Sequence, residues 1–165
     1  FNKAIELDPE YSWAYANRGY SKNNLNDNFG AIYDFTRLIE LDPKDSWAYI
    51  SRGDAKENLG DFYGAIYDYT RAIEIDPENA VAYNNRCWSK YKMGKYKSAL
   101  PDCNKSLSIN SKDGNTYDSR GDVKFALGDK KGACSDYKNA VANGHKPREK
   151  YLKSDEGAWC LNMPI

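Results

Sequence analysis

The chain has 165 residues, with 24 basic and 24 acidic side chains and a formal net charge of zero. That balance weighs against nucleic acid as a partner, because phosphate contacts draw on a basic face. No apolar run approaches the ~20 residues that cross a bilayer, and no charged-then-apolar leader marks secretion.

The sequence opens on Phe1, in mid-repeat, and reads as a piece of a longer protein. Its first segment, FNKAIELDP, matches 35–43 and 69–77, so 1–11 is expected to hold the second helix of a truncated repeat. Four full units follow at a 34-residue step, 12–45, 46–79, 80–113 and 114–147, with a tail over 148–165. Five columns carry the period: Tyr15, Tyr49, Tyr83, Tyr117; Arg18, Arg52, Arg86, Arg120; Lys22, Lys56, Lys90, Lys124; Ala31, Ala65, Ala99, Ala133; and Asp34, Asp68, Asp102, Asp136. A fixed period of this length predicts an array of stacked units.

Each unit reads as two helices. In the second, the first helix is predicted over 47–59, with Asp45 or Ser46 capping its free N–H groups. Gly60 supplies the left-handed turn at its end, and Asp61 caps a second helix over 62–75, which Asp76–Pro77 stops. Gly94 and Gly128 take the same turn in later units, and Asn26 takes it in the first. Gly19, Gly53 and Gly121 fall inside helices, where glycine costs about 1 kcal/mol relative to alanine. They are expected to make room for the alanine column. In the third unit Cys87 replaces this glycine and Cys103 replaces an aromatic residue; the two changes either compensate or leave a void. Pro101 predicts a kink or a local break near 97–101. Asn143–Gly144 reads as a helix end. The tail, with its AWCLNMPI end, does not read as a polar capping helix.

The four cysteines lack C-x-x-C spacing and the single histidine has no second ligand near it, so no metal site is expected. Free thiols in a reducing compartment are the expectation, with cytoplasm favoured and a Cys87–Cys103 disulfide the minority alternative. His145 reads as a solvated loop residue. No phosphate loop, zinc-protease or nucleophile-elbow motif occurs, so neither catalytic residues nor a cofactor are expected.

The aromatic anchor at Trp47 or Tyr49, then Gly53, Ala65, Tyr69, Ala72 and Pro77 give the unit a signature that resembles the tetratricopeptide repeat. The likeness covers 1 to about 144. An Arg column stands where that family has Leu and a Lys column where it has Tyr, and the third unit lacks both the glycine and the closing proline. The resemblance implies an all-α, right-handed solenoid of antiparallel helix pairs. First helices would line a concave groove that holds a partner's peptide, as a non-catalytic scaffold.

On that geometry the groove face carries Trp13, Trp47, Val81 and Asn115; Ala16, Ile50, Asn84 and Asp118; Tyr20, Asp54, Trp88 and Asp122; and Asn23, Glu57, Tyr91 and Phe125. The expected peptide-binding residues are Trp13, Trp47, Ile50, Asp54, Glu57, Asn84, Trp88, Tyr91, Asp118 and Asp122, with Lys92 near the rim. Aromatic anchors beside carboxylates predict a partner segment with apolar groups and positive charge. The family's clamp for chaperone C-termini is disfavoured, because Ala16, Tyr20, Ser51, Val81 and Asn85 stand at its positions. The Arg and Asp columns predict a polar ladder, each Arg reaching the Asp of its own or the adjacent unit through a two-toothed fork. Self-assembly through solenoid ends or the tail, and service as the targeting arm of a larger enzyme, are the alternative functions.

Overall fold

The period dictates the chain's local structure through its caps and turns. A computed structural model describes residues 1–162, so the last three residues of the AWCLNMPI tail lie outside it. The helices are α1 (Asn2–Leu7), α2 (Ser12–Asn24), α3 (Asn28–Leu41), α4 (Ser46–Asn58), α5 (Phe62–Ile75), α6 (Ala80–Lys92), α7 (Tyr96–Ile109), α8 (Gly114–Ala126), α9 (Lys130–Ala142), α10 (Lys146–Leu152) and α11 (Ala158–Leu161). The Asp45 carboxylate accepts from the N–H groups of Trp47 and Ala48, and Asp61 accepts from Gly64. These bonds satisfy helix-start donors that have no partner within the helix. Between the paired helices Gly60 sits at φ 79° and Asn26 at φ 61°.

The chain divides into two compact units, Phe1–Glu78 and Asn79–Ile165. In the first, α2 packs on α3, α3 on α4, and α4 on α5; in the second, α6 packs on α7, α7 on α8, and α8 on α9. Alanine seals each pair: Ala31, Ala65, Ala99 and Ala133 have no exposed surface.

The mid-helix glycines face the aromatic column first, and only Gly121 also meets an alanine, the Ala133 carbonyl at 3.4 Å. A Cβ on Gly53 would lie 2.6 Å from the Tyr69 ring, on Gly19 2.9 Å from Phe35, and on Gly121 2.4 Å from Tyr137. Gly53→Ala is therefore expected to destabilise the chain by about 1–2 kcal/mol despite its better helix propensity, because overpacking outweighs the propensity gain. Urea unfolding checks this.

The third unit solves the same contact covalently. Cys87 and Cys103 stand where glycine and the aromatic ring stand elsewhere, and they form a disulfide, so the two substitutions compensate. Cys134 and Cys160 form a second, so all four cysteines are paired. The expectation of free thiols is thus overturned.

Two other expectations are revised. The local break expected near Pro101 is absent: helix α7 runs unbroken through it. Proline removes one backbone bond here, and its ring lies on the exposed side while Ala99, Asp102, Cys103 and Leu107 bury the opposite one. The C-terminal segment does cap the last repeat. Leu152 and Cys160 join Ala133, Cys134 and Tyr137 in one apolar cluster, with Tyr151 and Trp159 against it.

Candidate functional site

The Arg, Lys and Asp columns converge on one arrangement, repeated in all four units. Within each unit the Arg Nε and Nη2 donate to the two carboxylate oxygens of its own unit's Asp. For Arg52 and Asp68 the distances are 3.0 and 2.7 Å. For Arg18 and Asp34 they are 2.9 and 2.6 Å, for Arg86 and Asp102 2.9 and 2.6 Å, and for Arg120 and Asp136 2.8 and 2.7 Å. The Lys column adds a third cationic contact, such as Lys56 to Asp68 at 2.7 Å. The carboxylates are buried. Each guanidinium also stands over the Tyr three residues earlier, at 5.5–5.7 Å. A remaining Nη1 reaches back to the preceding second helix, to Asn2 from Arg18, Thr36 from Arg52 and Asn104 from Arg120. Each such fork therefore ties three helices together.

The expected groove residues fall on α2, α4, α6 and α8. Trp13 is exposed, between Phe1 and the stacked ring of Tyr11. Trp47 is 44% exposed and meets Phe35 edge-on. Ile50 is a correction: it is buried and serves the core, because α4 packs against both α3 and α5. Asp54 accepts from the Tyr69 hydroxyl at 2.7 Å. Burial, with the charges of Asp54 and Glu57, pushes that phenol well above its ordinary pKa.

In the second unit, Trp88 and Tyr91 stack at 5.2 Å, and Lys92 covers Trp88 at 5.3 Å. Asn84 lies half-buried on the same helix, beside Asn85. Asp118 and Asp122 share one face of α8. Both are bonded by a residue that the repeat pattern does not contain, Arg148 of α10. Its Nε donates to Asp118 and its Nη2 to Asp122 at 2.6 Å. Its guanidinium lies 4.0 Å from the Tyr137 ring centre and 4.9 Å from that of Tyr151. The Tyr137 hydroxyl donates to Asp122 at 2.9 Å, fixing the carboxylate.

Burial pushes the Asp122 carboxyl up, against the lowering pull of Arg148, and leaves it above its usual range. Burial opposes the Arg148 charge, but bonding to Asp118 and the charge of Asp122 outweigh it, so its pKa is raised. Tyr91 belongs to the same neighbourhood: burial, then the Asp122 charge, raise its phenol. His145 is no solvated loop residue; its Nδ1 caps α10 by accepting the Arg148 N–H at 3.2 Å. Among the described residues no group of His, Cys, Asp and Glu is arranged to hold a metal ion, and no helix is long and apolar enough to cross a membrane.

The tetratricopeptide repeat family model matches residues 46–79 and 80–113. No curated protein sequence matches the chain. Among solved structures, MamA is similar at a TM-score of 0.80 and 23% identity, covering 90% of this chain and 86% of that one. A thermophilic TPR protein from Thermus thermophilus is similar at 0.78 and 15%, covering 98% and 87%. The first TPR of Spaghetti (RPAP3), bound to the HSP90 peptide SRMEEVD, is similar at 0.60 and 24%, covering 68% and 97%. These likenesses show an all-α fold of the solenoid class.

Proposed function

We propose that this tetratricopeptide-repeat chain is a non-catalytic scaffold whose first-helix faces hold a segment of a partner protein bearing apolar anchors and Arg or Lys. The fold is one that generally mediates protein–protein interaction. One observation supports the partner's chemistry: a guanidinium, that of Arg148, already sits between Asp118 and Asp122 of α8, in the neighbourhood of Tyr91 of α6. The peptide in the Spaghetti structure, SRMEEVD, carries two glutamates and an aspartate. Carboxylates on this chain's faces argue for a partner of opposite charge. In the first unit the first helices carry the exposed Trp13 and Trp47 and the half-buried Asp54 and Glu57.

Peptides selected on the protein from a random displayed library test the reading. Arg or Lys with an apolar neighbour is the expected enrichment. Trp47→Ala or Trp88→Ala is expected to weaken the selected peptides by about tenfold or more, as for anchor residues. Selected peptides that are acidic, or that bind both variants unchanged, contradict it.

We also infer that the chain matures where disulfides persist, which replaces the cytoplasmic expectation. Thiol titration of denatured protein prepared without reductant checks this: no reactive thiol is the expected result, and four reactive thiols contradict it.

A further inference from the structure

We propose that Asp118, Asp122 and Tyr137 form an arginine-recognition site whose built-in occupant is Arg148, held there by its short link to α9 and by the Cys134–Cys160 disulfide beyond it. An amphipathic helical segment of a partner, with Arg followed by an aromatic residue three positions on and Leu four on, enters once the occupant is released. The proposal rests on the binding reading above and names the ligand of its second-unit face.

The site is built for a guanidinium. Asp118 and Asp122 lie one turn apart on α8 and take different nitrogens of the same fork, Nε and Nη2. The Tyr137 ring supplies a face 4.0 Å from the guanidinium carbon, and its hydroxyl orients Asp122. Planar, delocalised arginine uses such a fork-and-face arrangement better than lysine. The two cations of α8 itself, Arg120 and Lys124, are turned to Asp136. The two carboxylates thus draw their cation from outside their own repeat.

The segment that supplies it defines the partner. On α10, Arg148, Tyr151 and Leu152 share a helical face: the Tyr151 ring also lies against the guanidinium, edge-on to Tyr137, and Leu152 enters the apolar cluster of α9. At seven residues α10 is too short to persist as an isolated helix. Its place is set by Arg148, by Leu152 and by α11, where Trp159 packs on Phe125 and Cys160 is bonded to Cys134. Residues 153–156 between them are exposed. The short link from the end of α9 at Ala142, with the disulfide closing the far end of the segment, keeps the occupant at a high local concentration, which a free partner must outcompete. Tyr91, half-buried and stacked on Trp88, lies in the neighbourhood of the site.

The probe is a synthetic peptide of residues 145–152, HKPREKYL, amidated, titrated by calorimetry. The receiving protein is the full chain carrying Arg148→Ala, Cys134→Ser and Cys160→Ser, with its helix content checked by circular dichroism. Binding to this variant, at least about tenfold tighter than to the oxidised wild type, is the expected result. The control HKPAEKYL is expected to bind at least about tenfold more weakly than HKPREKYL. Equal affinity for both peptides, or a folded variant that takes neither, overturns the proposal. Should the triple variant lose its helices, Arg148→Ala with the disulfide intact takes argininamide as probe: its binding supports the site, and its failure to bind overturns it. Failure here with Trp47 and Trp88 still needed for the selected peptides would leave the scaffold reading intact.

Discussion

Asp68→Ala is expected to lower the unfolding free energy by about 3–5 kcal/mol, as breaking a buried pair does. The carboxylate has no exposed surface and takes three charge-assisted bonds, two from Arg52 and one from Lys56. Removing it strands a guanidinium whose other nitrogen is committed to Thr36 of the preceding helix pair. The position holds one end of a brace joining α3, α4 and α5, so the loss reaches beyond one repeat. The companion variant, Arg52→Met with Asp68→Leu, is expected to recover most of the loss, because both charges leave together and apolar groups of similar bulk replace them. Lys56 can follow its stem to solvent. Urea unfolding of both variants decides: equal losses in the single and double variants would show that packing volume, not the stranded charge, sets the cost.

The second large effect belongs to the third repeat. Cys87→Ser with Cys103→Ser is expected to cost about 3 kcal/mol, from the loop-closure entropy returned to the unfolded chain when a cross-link spanning 16 residues is removed. The more telling variant is Cys87→Gly with Cys103→Tyr. It writes the Gly53 and Tyr69 contact into the third repeat at the same separation. A ring seated on glycine should restore most of the stability with no covalent bond at this point. Thermal melts of the two double variants test it; a Gly and Tyr variant no more stable than the Ser pair would mean that the repeats do not share one template.

The comparison between these two sites shows which features the sequence carried openly. Caps and turns were legible because their chemistry is local: Asp45, Asp61, Gly60 and Asn26 do what their side chains dictate within a few residues. The Arg and Asp columns were legible as a pair, although the spacing left two possible partners and the fold chose the Asp of the same unit. The disulfide was harder. Cys87 and Cys103 differ from their columns by two linked substitutions, a signal that marks a contact only because the glycine column faces the aromatic one across the helix pair. Arg148 had no such signal. The N-caps Tyr11, Asp45, Asn79 and Asp113 advance by 34, whereas His145 comes two residues before the next step, so the pattern loses register just where α10 begins. Its contact with Asp118 spans 30 residues and rests on tertiary packing alone.

The chain's four tryptophans give the most direct test of where a partner binds. Trp13, Trp47 and Trp88 lie on first helices, and Trp159 lies on α11. Each indole N–H gives its own signal in a nitrogen-labelled sample. Titration with a selected basic peptide is expected to shift the Trp47 or Trp88 signal in step with binding. A peptide that binds while both signals stay fixed would contradict the account.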